Sequence, residues 1–128
     1  NYKFEKKLMK IANKISDNIF ILNSEEREKI HLAAVFACNF SNHMYTIANN
    51  ILKKTNVDFS ILIPLIKQNI SKIKNNNPLE VQTGPAKRKD FNVIKKHIQQ
   101  INDNQIKMIY KLITQSIIEA DEKIQPNE

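Results

Sequence analysis

Polar side chains set into an otherwise apolar helix are the first residues in this sequence that could do chemistry. His31 immediately precedes the apolar stretch Leu32 to Cys38, Asn39 lies two turns along, and Asn42 and His43 come one turn later. At 100° per residue, Asn42 falls near the line of His31 and Asn39 lies on its shoulder. A buried Asn or His needs hydrogen-bond partners. Two readings stay open. The stripe either lines a ligand cleft, or it bonds helix to helix and anchors a loop.

A second cluster runs from Gln82 to Asp90. It holds the only glycine, Gly84, one of two arginines, Arg88, and a helix cap, Asp90. Lys87, Arg88 and Lys89 near a helix start suit a carboxylate or a phosphate. The plainer alternative is a capped loop whose Lys87 and Lys89 sit in water and whose Arg88 pairs with Asp90 or another acid. Other chemistries fit poorly. His31, His43 and His97 are far apart, with no His-x-x-x-His pair and no cysteine pair to hold a metal. No serine sits in a glycine-flanked elbow. One glycine is too few for a dinucleotide or P-loop site, where the backbone must turn tightly against phosphates.

The elements that position these residues are helical. Phe4, Leu8, Ile11, Ala12, Ile15 and Ile19 recur at three- and four-residue steps and predict an amphipathic helix over 3–17. Ile19 to Leu22 is a short apolar run with β-branched and aromatic content, which predicts a buried strand. Asn23, with Glu26 three residues on, predicts a capped helix start. Helical rhythm then holds to about Lys54, a spine on the order of 45 Å long at 1.5 Å per residue. Leu32 to Cys38 is apolar on every face, so other helices should surround it, with Cys38 a buried small hydrophobe. Asp58 caps a third helix, in which Pro64 either occupies the first turn or makes a kink. A loop spans Leu79 to Lys89. Asp90 and Asp103 cap two more helices, and the tail from Asp121 is expected to fray. The fold class is all-α: about five helices around one long central helix, with a helix and a short strand ahead of it.

A chain of 128 residues with 41% hydrophobic residues is one domain's worth. No apolar run nears the roughly 20 residues of a membrane span, and no signal peptide is visible. The chain opens without Met and already in helical rhythm, so it is expected to be a piece of something longer. A lone cysteine suits a reducing cytoplasm. The net charge is +7, but all 20 basic residues except Arg27 and Arg88 are lysine. Arginine is preferred for bidentate phosphate and base contacts, so the charge is a weak argument for a nucleic-acid partner.

The segment His31 to Phe40, HLAAVFACNF, resembles the HLAAVFASNF signature of a group of largely uncharacterised proteins. Pro64-Leu65-Ile66, and Thr83 to Asp90 followed by His97, resemble the same group in the same order. Many of its members carry Gly where this chain has Lys89. The resemblance covers about residues 23–118. Proteins of this group join a Rossmann-like NADP-binding domain to a helical domain, and are similar to the pyrroline-5-carboxylate reductase and hydroxyacid dehydrogenase superfamily. The resemblance therefore implies that residues 1–22 are the remnant of an upstream Rossmann-like domain and that 23–128 form a helical dimerisation and substrate-side domain. NADP would be bound by the missing domain and by nothing in this chain. It marks His31, Asn39, Thr83, Gly84, Pro85, Arg88, Asp90 and His97 as signature positions.

Two functions are weighed on this basis. The leading one is the homodimer-building, substrate-side domain of an NADP-dependent oxidoreductase acting on a small molecule, inactive as this piece alone. His31 and Asn39 are the candidate catalytic residues, which orient or protonate substrate. Thr83, Gly84, Arg88 and His97 are the candidate substrate-binding residues. His31, Asn39 and the loop are expected to converge on one cleft. The alternative is a non-catalytic helical interaction module, one form of which binds nucleic acid through a contiguous lysine face.

Overall fold

Short polar side chains start the helices of this chain. They do so in the computed structural model, which describes residues 2–17 and 19–123. Asn23 Oδ1 accepts the Glu26 N–H at 2.9 Å while Glu26 Oε2 accepts the Asn23 N–H at 2.8 Å, a closed capping box. It launches α2 (Ser24–Ala34), a π-helical segment (Val35–Phe40) and α3 (Ser41–Leu52), which run on without a break. Asp58 caps a 3-10 turn (Phe59–Leu62) that leads into α4 (Ile63–Asn75). Pro64 occupies the first turn of α4, where its missing N–H has no partner to lose. Asp90 starts α5 (Phe91–Gln100), and Asp103 starts α6 (Asn104–Glu122) by accepting two backbone N–H groups at 2.8 and 3.0 Å. With α1 (Tyr2–Ala12) these make five helical rods and no strand among the described residues. The fold is all-α.

Three expectations are corrected. Ile19 to Leu22 is irregular rather than a strand, because a strand needs a second one for its ladder and the described residues contain none. The first helix stops at Ala12 instead of continuing to 17. Its end tightens through Lys14 N–H to Ile11 O at 3.1 Å and Ile15 N–H to Ala12 O at 2.8 Å. Asn13, Ser16 and Asp17 compete there for backbone groups and favour turns. At the other end, α6 continues through Glu122 where a frayed tail was expected. Residues 124–128 lie outside the described residues.

The chain divides into two compact units within α3, the first running to Thr46 and the second beginning at Ile47. In the first unit no described residue is buried. Leu32 and Phe36 are 59% and 63% exposed, and Cys38 is exposed too, so the described residues of this unit do not supply the expected cover over the apolar stretch. In the second unit α5 packs against α6, and Ala86 and Ile94 are the buried apolar residues, at 6% and 8% exposure.

Ile94 is therefore the side chain whose removal should be felt most in the second unit. Ile94→Ala is expected to lower stability by about 2–4 kcal/mol in urea denaturation. A loss below about 1 kcal/mol would show that Ile94 is not core.

Candidate functional site

The loop before α5 owes its shape to two residues with positive φ. Gly84 sits at φ +102°, a region that L side chains rarely adopt, although nothing lies within 4 Å of where its Cβ would be. Backbone conformation, not space, requires glycine there. Pro85 then opens a single helical turn, in which the Arg88 N–H donates to Gly84 O at 3.2 Å. The turn is closed by two bonds, Asp90 N–H to Pro85 O at 2.9 Å and Lys89 N–H to Ala86 O at 3.1 Å. That is the pattern of a Schellman motif, which needs a left-handed residue at the position of Lys89, and Lys89 has φ 53°. Asp90 serves both neighbours: its N–H closes the turn, and its Oδ1 caps α5 by accepting the Val93 N–H at 3.1 Å.

Ion pairs hold this loop to the end of α6. Lys87 pairs with Asp121, whose side chain is only 13% exposed. Lys89 Nζ donates to Glu122 Oε1 at 2.8 Å. That bond, reinforced by the charge of Glu122, holds the Lys89 ammonium above its ordinary pKa of 10.5. A raised folded-state pKa means that the pair stabilises the fold at neutral pH and fades as pH climbs past the ordinary lysine range. The two lysines expected to sit free in water are thus both paired. Arg88 is exposed, and its guanidinium makes no ion pair among the described residues, neither with Asp90 nor with another acid.

His97 lies at the other end of the same α5–α6 hairpin, about 10 Å along α5 from Asp90 at 1.5 Å per residue. Its Nδ1 stands 2.9 Å from Tyr110 Oη on α6, with the two rings edge to face at a centroid distance of 5.9 Å. Both line a cleft of about 530 Å³ whose apolar wall is Ile47, Ile51, Ile101 and Ile106. The structure therefore separates His97 from Thr83, Gly84 and Arg88, which do not line this cleft. Thr83 is exposed, and its carbonyl accepts from Gln82 Nε2 at 2.9 Å.

His31 and Asn39 belong to the first unit and the Thr83 to Arg88 loop to the second. His31 is exposed in the last turn of α2, and Asn39 is exposed within the π segment. The π segment covers Val35–Phe40, the heart of the apolar signature. Ser41 Oγ reaches back five residues to Phe36 O at 3.5 Å, and the rings of Phe36 and Phe40 meet edge to face at 5.0 Å. A register of 100° per residue does not carry through such a widened turn, so the alignment of His31 with Asn42 does not follow from spacing. Single π turns inside helices are frequent at functional sites.

Sequence reasoning missed Tyr110. It falls on the apolar stripe of α6 and reads as core, and only the antiparallel return of the hairpin brings it to His97. Among the described residues no group of three or more His, Cys, Asp or Glu could hold a metal ion, and no helix is long and apolar enough to cross a membrane.

An all-helical chain with a rigid loop at one end of a helical hairpin and an open cleft at the other is the class these observations define. A family described as "Domain of unknown function (DUF2520)" matches residues 1–117, and the chain belongs to that family. Among solved structures the chain is similar to a crystal structure from Bacteroides fragilis described as a "putative NADP oxidoreductase". The identity is 43% and the TM-score 0.81, over 85% of this chain and 42% of that one. This chain thus spans less than half of that protein's length. No curated protein matches.

The two positive-φ residues make opposite predictions. Gly84→Ala should destabilise by about 1 kcal/mol or more despite the open space, because its backbone conformation is incompatible with a side chain. Lys89→Gly should hold or raise the thermal midpoint, while Lys89→Val should lower it. An unchanged midpoint for Gly84→Ala would show that the loop does not need its positive φ.

Proposed function

We propose that this chain is the dimer-building, substrate-side helical domain of a two-domain NADP-dependent oxidoreductase related to the pyrroline-5-carboxylate reductase and hydroxyacid dehydrogenase superfamily. The observation that carries the reading is the apolar surface left open on α1, α2, the π segment and α4, where Phe4, Phe36 and Leu65 are each more than 60% exposed. Helices of this kind are made to be covered by other protein. The likeness to the Bacteroides fragilis structure supports an oxidoreductase as the setting, since its larger share lies outside the matched region. In this reading a second copy and an upstream Rossmann-like domain are the covering surfaces, and the compartment is the cytoplasm.

NADP does not fit this chain's own residues. The sole glycine belongs to the Schellman-closed turn, and no strand-to-helix turn exists among the described residues to cradle a pyrophosphate. The cofactor belongs to the other domain. This chain contributes polar groups on the substrate side: His31 and Asn39 on the spine, and Arg88 on a turn held by the ion pairs of Lys87 and Lys89. An exposed guanidinium on a rigid turn is suited to gripping a substrate carboxylate at two points.

Calorimetric titration with NADPH tests the division of labour. The full-length protein is expected to bind at micromolar concentration and this chain alone not at all. Saturable micromolar binding by this chain would overturn the reading. His31→Ala and Arg88→Ala test the assigned roles. Neither side chain makes a hydrogen bond or ion pair to a described residue, so each variant should keep its stability within about 0.5 kcal/mol while losing turnover. If either variant unfolds the domain, that residue is architecture.

A further inference from the structure

The cleft at the closed end of the α5–α6 hairpin lies wholly within the second unit, and His97 is the one candidate site residue that lines it. Its volume of about 530 Å³ falls in the range of small-molecule sites, roughly 300–1,000 Å³. The isoleucine wall offers branched aliphatic surface. Against it stand two polar features. The first is the His97–Tyr110 pair: with the proton on Nδ1, the imidazole donates to the tyrosine oxygen and leaves the phenol O–H free to donate into the cleft. The second is Lys54, the one lysine or arginine among the described residues that lines the cleft. A turn after α3 places it there, its N–H bonded to Ile51 O at 3.2 Å. Lys54 forms no ion pair among the described residues.

Among the described residues the only carboxylate lining the cleft is Asp103, and its Oδ1 is already committed to the N–H groups of Gln105 and Ile106 at the start of α6. Those amides engage one oxygen of the carboxylate, while the Lys54 ammonium has no ion-pair partner among the described residues. The open ammonium selects an anion, and the four isoleucines select a ligand with a hydrocarbon body. A polyphosphate would waste the apolar wall, and a neutral hydrocarbon would leave Lys54 and the phenol without partners.

We infer that this cleft binds a small organic acid with a branched aliphatic body, its carboxylate on Lys54, a carboxylate oxygen accepting from Tyr110, and its hydrocarbon against the isoleucines. The inference rests on this chain's residues and not on the cofactor assignment. Its test therefore reads binding directly, without NADPH or turnover.

The probes are 4-methylpentanoate and its uncharged isostere 4-methylpentanamide. They are titrated into the full-length protein while the isoleucine methyl resonances are followed by NMR. The acid is expected to shift the methyls of Ile51 and Ile106 saturably in the millimolar range, and the amide to bind about tenfold more weakly, as the loss of a charge-assisted hydrogen bond requires. Lys54→Gln, at an exposed position that does not threaten the fold, should bring the acid down to the affinity of the amide and leave the amide unchanged. Tyr110→Phe should weaken the acid further. Equal binding of acid and amide, an acid affinity untouched by Lys54→Gln, or no saturable shift would each overturn the inference. So would methyl shifts that follow protein dilution instead of ligand, since these would show that a second copy fills the cleft.

Discussion

The helices of this chain carry more apolar surface than the chain covers, and its other properties follow from that imbalance. Ala86 and Ile94 are the only described residues shielded from water. A helix the length of α1, 11 residues, is marginal in water when it stands alone, because nucleation is costly and few bonds repay it. Capping boxes and Asx caps contribute about 1 kcal/mol each, which is not enough to hold five rods. In the proposed reading, the stabilisation that remains comes from a second copy and from the upstream domain. The most apolar part of the spine, Leu32 to Phe40, is also where its helical turn widens, so the surface most in need of a partner is also the one with unusual backbone.

Within the second unit, order is supplied locally by polar groups with two partners each. Asp90 closes the loop's helical turn through its N–H and starts α5 through its carboxylate. Lys87 and Lys89 then tie that turn to the last turn of α6. The result is a turn tied down on both sides of Arg88, whose own side chain is left exposed; holding the backbone in this way limits the mobility that would cost a guanidinium affinity. At the opposite end of the hairpin, the His97–Tyr110 bond joins the two helices beside the cleft. The same pair of helices thus supports a charged platform and an amphipathic pocket, at opposite ends.

What could be read in the sequence was what neighbouring residues decide. Asn23, Asp58, Asp90 and Asp103 were legible as caps because each bonds an N–H two or three residues away. The short run Ile19 to Leu22 was misread as a strand because apolar, β-branched composition cannot supply the second strand that a ladder needs. The ion pairs of Lys87 and Lys89 join residues 34 and 33 positions apart, beyond the reach of any local pattern. Tyr110 was hidden for the same reason. The π segment left no local signal, since its apolar residues fit an ordinary helix equally well. The group suggested by three ordered motifs is consistent with the domain family matched over residues 1–117, and Lys89 stands where a left-handed backbone favours glycine.

In the proposed dimer the uncovered helical faces form the interface between copies. Light scattering on the full-length protein at micromolar concentration tests it most directly. An obligate interface of upwards of about 2,000 Å² should give the mass of a dimer that persists on dilution through the micromolar range. A monomer mass at that concentration would contradict it.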